Sequence, residues 1–228
     1  MILDPLLQTV FYGFIFGMVL KVSRGMDNFP GFLALGIVFF RIITRGLASG
    51  SGIVRKSRSL ISSFQFPRAS VVIGETLKNA LDALVPATVA VVLATLWQPE
   101  FSLSWSLLTL LPIFVLIQLF SLGCCFIVAR ATAFVPDLRS IVNLLTRALF
   151  FLSGVFFSIE RFVNHSTLEL VMKLNPVYQF LTAVRQAVLD SQTPSVETWC
   201  YLFVWSFGLV AVGFIYFWEA EGRYASIR

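Results

Sequence analysis

Apolar residues along this chain come in long, nearly unbroken runs rather than in alternation. A helix that crosses a bilayer needs about 20 mostly apolar residues. Six segments reach that length, at roughly 2–20, 31–50, 71–97, 103–129, 140–159 and 199–218. The connections are short except for two. Residues 53–69 form a basic loop carrying Arg55, Lys56, Arg58 and Arg68. Residues 160–198 are more complex: 168–174 predicts a short helix, Asn175-Pro176 breaks it and primes another, and 177–189 is apolar but too short to span. This segment fits two short helices that re-enter the membrane from one side. It also fits an amphipathic hairpin lying on the surface. The expected fold is an all-α integral membrane protein, one transmembrane domain over 1–228. It has six transmembrane helices plus two short re-entrant helices on the external side before the last span.

Composition agrees with the pattern. Charged residues make up 13% of the chain, about half the usual share of a soluble domain. The net charge of +5 points to cytoplasmic loops near anionic lipid, not to nucleic acid. Cys124, Cys125, Cys200 and the single His165 make no metal-binding set, and the cysteines read as small buried hydrophobes. The first apolar run lacks a basic leader and contains Asp4 and Pro5, so it reads as a retained membrane segment, not a signal peptide.

Lysines and arginines in the connections set the orientation. Arg55, Lys56, Arg58, Arg68, Arg130, Arg139, Arg223 and Arg228 fall on one side; Lys21, Arg24, Arg161, Lys173 and Arg185 fall on the other. Both termini are therefore expected in the cytoplasm, with 160–198 outside. Trp97, Trp105, Trp199 and Trp218 lie near span ends, where interfacial belts form.

Ionisable residues inside a span are costly and face protein or water. Arg41 and Arg45 share one face of the second span; Glu75, Lys78 and Asp82 share one face of the third. Counting inward from the cytoplasmic edge sets Arg45 near the depth of Glu75, and Arg41 near that of Asp82. The residues read either as an ion-pair ladder or as a positive lining that meets an anionic group in transit. Arg147 stands alone in the fifth span. It pairs with a neighbour, snorkels, or lines a path.

Enzyme motifs fail. Gly50 to Ser57 approaches a P-loop, but Arg55 stands where the motif needs glycine before its lysine. No Ser/His/Asp set is present to act as catalytic residues. The chain reads as a conduit or part of one.

The ordered motifs resemble the membrane (permease) subunit of polysaccharide-exporting ABC transporters, the type that exports O-antigen, teichoic acid or galactan. They are Asp4-Pro5-Leu6-Leu7-Gln8 with Phe16-Gly17, then Leu60-Ile61 through Phe66-Pro67-Arg68, then Ser153-Gly154-Val155-Phe156-Phe157. The last is Leu174-Asn175-Pro176 with Arg185. The resemblance implies a homodimer in the bacterial inner membrane and two copies of a cytoplasmic ABC ATPase, which hold the ATP and Mg; this chain holds no cofactor. It implies that Arg55, Lys56, Arg58, Phe66, Pro67, Arg68 and Asp137 take part in coupling to that ATPase. Arg41, Arg45, Arg139 and Arg147 would line a path for a polyprenyl-diphosphate-linked polysaccharide. Asn175, Pro176, Tyr178 and Arg185 would belong to an external gate. Two features depart from the family. The first span starts at about residue 2, without the usual amphipathic helix before it, and of the usual Arg-Asp pair before the fifth span only Asp137 is matched.

Three other readings stay open. A drug- or lipid-exporting ABC permease shares the span pattern. A membrane transferase acting on lipid-linked sugar requires an acid/base cluster at one membrane face. A solute-driven transporter predicts an internal repeat, and none stands out.

Overall fold

The computed structural model describes residues 28–59, 67–98, 105–156 and 166–226. The predicted first span and Phe66 lie outside them. The described residues form α1 (Phe29–Gly50), α2 (Ile53–Lys56), α3 (Ala69–Leu96), a 3-10 turn (Trp105–Thr109), α4 (Leu110–Phe134) and α5 (Leu138–Leu152). They continue with α6 (Ser166–Lys173), α7 (Pro176–Val188), α8 (Val196–Trp218) and a final 3-10 turn (Glu221–Ser226). Among the described residues, four stretches are long and apolar enough to cross a membrane: α1, α3, Trp105–Phe134 and α8. They coincide with the second, third, fourth and sixth predicted spans.

The fifth differs. Hydropathy carries the prediction to residue 159, but α5 is 15 residues long and stops at Leu152. At 1.5 Å per residue that is about 22 Å, short of the roughly 30 Å hydrocarbon core. The stop is local: Gly154 takes a φ of 61°, a left-handed backbone that ends helices and favours glycine.

α1 sits at the centre and is the most buried of the long helices. Its start is well specified. The Asn28 side chain accepts the Gly31 N–H at 3.0 Å, and Pro30 occupies the first turn, where its missing donor costs nothing. The other face of Asn28 donates to the Ala94 carbonyl at 2.8 Å, tying α1 to the far end of α3. Between these helices, α3 presents Ala83, Ala87, Ala90 and Ala94, all buried. Their four-three-four spacing makes one narrow strip of small side chains. Lipid supplies no hydrophobic drive between helices, so close van der Waals approach of small residues does that work. The same logic joins α1 to α4: any Cβ at position 46 would overlap the Ser121 carbonyl oxygen, so only glycine fits there. α8 adds a polar tie, Ser206 Oγ donating to the Leu116 carbonyl at 2.9 Å.

α3 and α8 also turn large apolar side chains outward, including Leu77, Leu81 and Leu96 on α3 and Val204, Phe207 and Ile215 on α8. Exposed apolar faces of this extent suit acyl chains, not water. α7 behaves differently. Nine of its 13 residues are buried, and it packs against α1, α4, α8 and the 3-10 turn before α4. It is wedged into the bundle, which disfavours a hairpin resting on the surface.

Candidate functional site

Among the described residues, three polar assemblies interrupt the apolar bundle. The first is a groove of about 450 Å³ between α1 and α3, with α5 on its rim. Arg41, Arg45, Thr44, Asp82, Pro86 and Thr146 line it. Arg45 Nη2 lies 3.3 Å from Asp82 Oδ2, with both side chains about one-third exposed. The depth-count expectation is corrected here: Arg45 meets Asp82, not Glu75. The helical path does not end at Gly50. After Gly52 it resumes for one more turn, Ile53–Lys56, so Arg45 starts deeper than a count from residue 50 suggests.

Of the four predicted path arginines, the groove gathers Arg41 and Arg45 only. Arg147 is exposed on α5, away from the groove lining. Arg139 belongs to the second assembly.

That second assembly is a basic end built around the break between α1 and α2. Gly52 takes a φ of 76°, and its N–H donates to Thr132 Oγ1 of α4 at 2.9 Å. The Arg139 guanidinium packs where a Cβ at position 52 would stand. Arg55 reaches across to the Ala133 carbonyl at 3.4 Å. The Nε atoms of Arg55 and Arg139 are buried, so these two cations are held inward, while Lys56 and Arg58 are exposed. Pro67 is exposed as well, and so is Asp137, at the start of α5.

The C-terminal turn folds back onto this end. Arg68 donates its backbone N–H to Glu221 Oε1 at 2.9 Å, and its guanidinium donates to the Glu221 carbonyl. α3 has no side-chain cap from its own N-cap residue, so Glu221 supplies a carboxylate where orphan N–H groups and the helix dipole favour one. Arg130 donates to Glu219 Oε2 at 2.8 Å and lies 4.0 Å from the Tyr216 ring centroid. The hydrogen bond from Arg130 holds the Glu219 carboxyl below the usual range. Tyr224 is buried, its hydroxyl donating to the Phe217 carbonyl at 2.9 Å. Nothing in the local sequence signals Glu221, because its partner lies 153 positions away.

The third assembly joins α7 to the end of α5. Asn175 caps α7 by accepting the Val177 N–H at 3.0 Å, and its amide donates to Ser153 Oγ at 2.9 Å. Pro176 opens the helix. From the opposite end of α7, the buried Arg185 donates to the carbonyls of Gly154 at 3.0 Å, Val155 at 3.1 Å and Phe32 at 3.3 Å. Two residues ten apart in sequence thus grip one break, at 152–155. Three predicted gate residues, Asn175, Tyr178 and Arg185, are buried in this contact region.

Residues 1–189 match the ABC-2 type transporter family. Two curated relatives from Klebsiella pneumoniae, both described as "O-antigen export system permease protein RfbA", are each 22% identical to this chain. One alignment covers 99% of this chain and 85% of the relative; the other covers 98% and 84%. With a match of that extent, the chain belongs to the ABC-2 type transporter family, as a multi-pass membrane subunit that transports and does not catalyse.

Proposed function

We propose that this chain is the permease subunit of an ATP-driven exporter for a polyprenyl-diphosphate-linked polysaccharide of the O-antigen class. The observation that carries this reading is the near full-length similarity to two permeases named for O-antigen export. The exporter is a homodimer in the bacterial inner membrane with two cytoplasmic ABC ATPase subunits, which hold the ATP and Mg. Each permease chain has six membrane segments, of which α5 is a short one ending at Leu152, both termini in the cytoplasm, and α6 and α7 as re-entrant helices of an external gate.

The basic end receives the ATPase stroke. Exposed Lys56, Arg58, Pro67 and Asp137 face the partner. The links Gly52–Thr132, Arg55–Ala133 and Arg68–Glu221 pass displacement to α4 and the C-terminal turn. Arg41 and Arg45 face the substrate path, and the α5–α7 clasp at Asn175 and Arg185 controls its outer end.

The test is reconstitution. The chain is co-expressed with candidate ABC ATPase subunits, purified, and placed in lipid nanodiscs. Co-purification and ATPase stimulation by a lipid-linked glycan are expected. Stimulation by drugs or free lipids, with none by the glycan, overturns the substrate; failure to bind any ABC ATPase overturns the reading itself.

A further inference from the structure

We propose that the groove between α1 and α3 is a binding site for a sugar-phosphate headgroup, in which phosphate displaces Asp82 from Arg45. This inference rests on the exporter reading and assigns that substrate a seat.

The lining holds two guanidinium groups and one carboxylate. Guanidinium groups at span depth mark paths for charged groups. The Arg45–Asp82 contact is a single 3.3 Å approach, longer than the roughly 2.7–2.9 Å of a strong charge-assisted hydrogen bond. It is not the bidentate fork that guanidinium and carboxylate form at their best. Both side chains are also about one-third exposed. The pair is thus poised for exchange, unlike Arg185, which three carbonyls hold in the buried bundle. A phosphate offers more acceptor oxygens and more charge than Asp82, so it is the stronger partner for the same arginine.

The rest of the lining offers acceptors. Pro86 lies within α3 and has no N–H, so the carbonyl of Asp82, four residues earlier, loses its helical partner. Thr44 donates its hydroxyl proton to the Phe40 carbonyl, and Thr146 donates to Val142, each at 2.8 Å. Both threonine oxygens therefore keep lone pairs for an incoming donor. Guanidinium donors beside hydroxyl acceptors match phosphate joined to a hydroxyl-rich sugar. Once displaced, the Asp82 carboxylate is a further acceptor for those hydroxyls.

The experiment uses the permease with its ATPase subunits in nanodiscs. The probe is undecaprenyl diphosphate bearing a short oligosaccharide, and the readout is the concentration that half-stimulates ATP hydrolysis. Arg45→Ala is expected to raise it about tenfold, as loss of a charge-assisted phosphate contact implies. Asp82→Asn is expected to lower it severalfold, because the internal competitor is gone. A merely structural ion pair predicts that both substitutions shift it the same way. Arg45→Lys, which keeps the charge, gives an intermediate value and replaces Arg45→Ala if that variant fails to assemble. Inorganic diphosphate and a soluble sugar phosphate are run as competitors. Competition that Arg45→Ala weakens assigns the seat to free phosphates, and its absence assigns it to the lipid-linked form. Shifts of like sign, or no shift, overturn this inference while leaving the exporter reading intact. A wild-type complex that holds its ATPase but that no lipid-linked glycan stimulates overturns this inference together with the proposed substrate.

Discussion

The Arg185 guanidinium carbon lies 3.5 Å from the centroid of the Phe32 ring, while its nitrogens hold carbonyls from two separate segments, 154–155 and Phe32. A planar cation satisfies both demands at once; an ammonium does not. Arg185→Lys is therefore expected to destabilise the protein by about 2–4 kcal/mol, from lost charged hydrogen bonds at a buried site. Thermal unfolding of the purified protein in detergent measures this. An unchanged midpoint sinks the clamp.

Arg185 also shows what a sequence reading reaches and where it stops. Its place after Leu174-Asn175-Pro176 sets it in the long connection before the last predicted span. The structure buries it inside the bundle instead. Run lengths revealed the four long spans, because about 20 apolar residues in a row have few other uses. At α5 the hydropathy continues past Leu152 while the backbone turns at Gly154. The Arg45–Asp82 pairing needed the extra helical turn at Ile53–Lys56, which a hydropathy run does not carry. The alanine strip of α3 was written in the spacing of four, three and four, yet it gains meaning only once α1 lies against it. Glu221 was beyond reach, since long-range capping leaves no local pattern.

Gly52 combines a left-handed backbone with a neighbouring guanidinium in its Cβ space. Gly52→Ala is expected to cost about 1–2 kcal/mol from backbone strain alone, and more from the clash with Arg139. The clash part is separable. In the Gly52→Ala, Arg139→Ala double variant, the total loss is expected to fall below the sum of the single losses by at least about 0.5 kcal/mol. Strict additivity, measured by unfolding, shows that the two residues do not share the space.

The Glu221 carboxylate stands in for a missing N-cap on α3. Glu221→Ala is expected to cost about 0.5–2 kcal/mol, the range for loss of a capping side chain. It should speed amide hydrogen exchange at Arg68 to Val71, the first turn of α3. Glu219→Ala is the contrast. Glu219 is exposed on the surface side of its pair with Arg130; such pairs contribute little because solvent screens them, so Glu219→Ala is expected to leave that exchange unchanged. Equal protection of the α3 first turn in wild type and Glu221→Ala rules out the long-range cap.

The basic end separates into cations held by the bundle and cations facing outward, and the two groups should fail differently. Arg55 bonds to the Ala133 carbonyl with its Nε buried, so Arg55→Ala is expected to cost about 1 kcal/mol of stability. Lys56 and Arg58 are exposed, and surface substitutions of this kind stay within about 0.5 kcal/mol. Their proposed work is docking. Exposed charges act through solvent, so their attraction is screened as salt rises. The Lys56→Ala, Arg58→Ala double variant should therefore keep the wild-type unfolding midpoint but retain less ATPase subunit on purification. Retention by the wild-type chain should fall from low to high salt, and the double variant should show a flatter dependence. If both proteins retain the ATPase equally at every salt concentration, these two residues do not carry the docking charge. The inward-held arginines and the remainder of the loop are then left as the coupling surface.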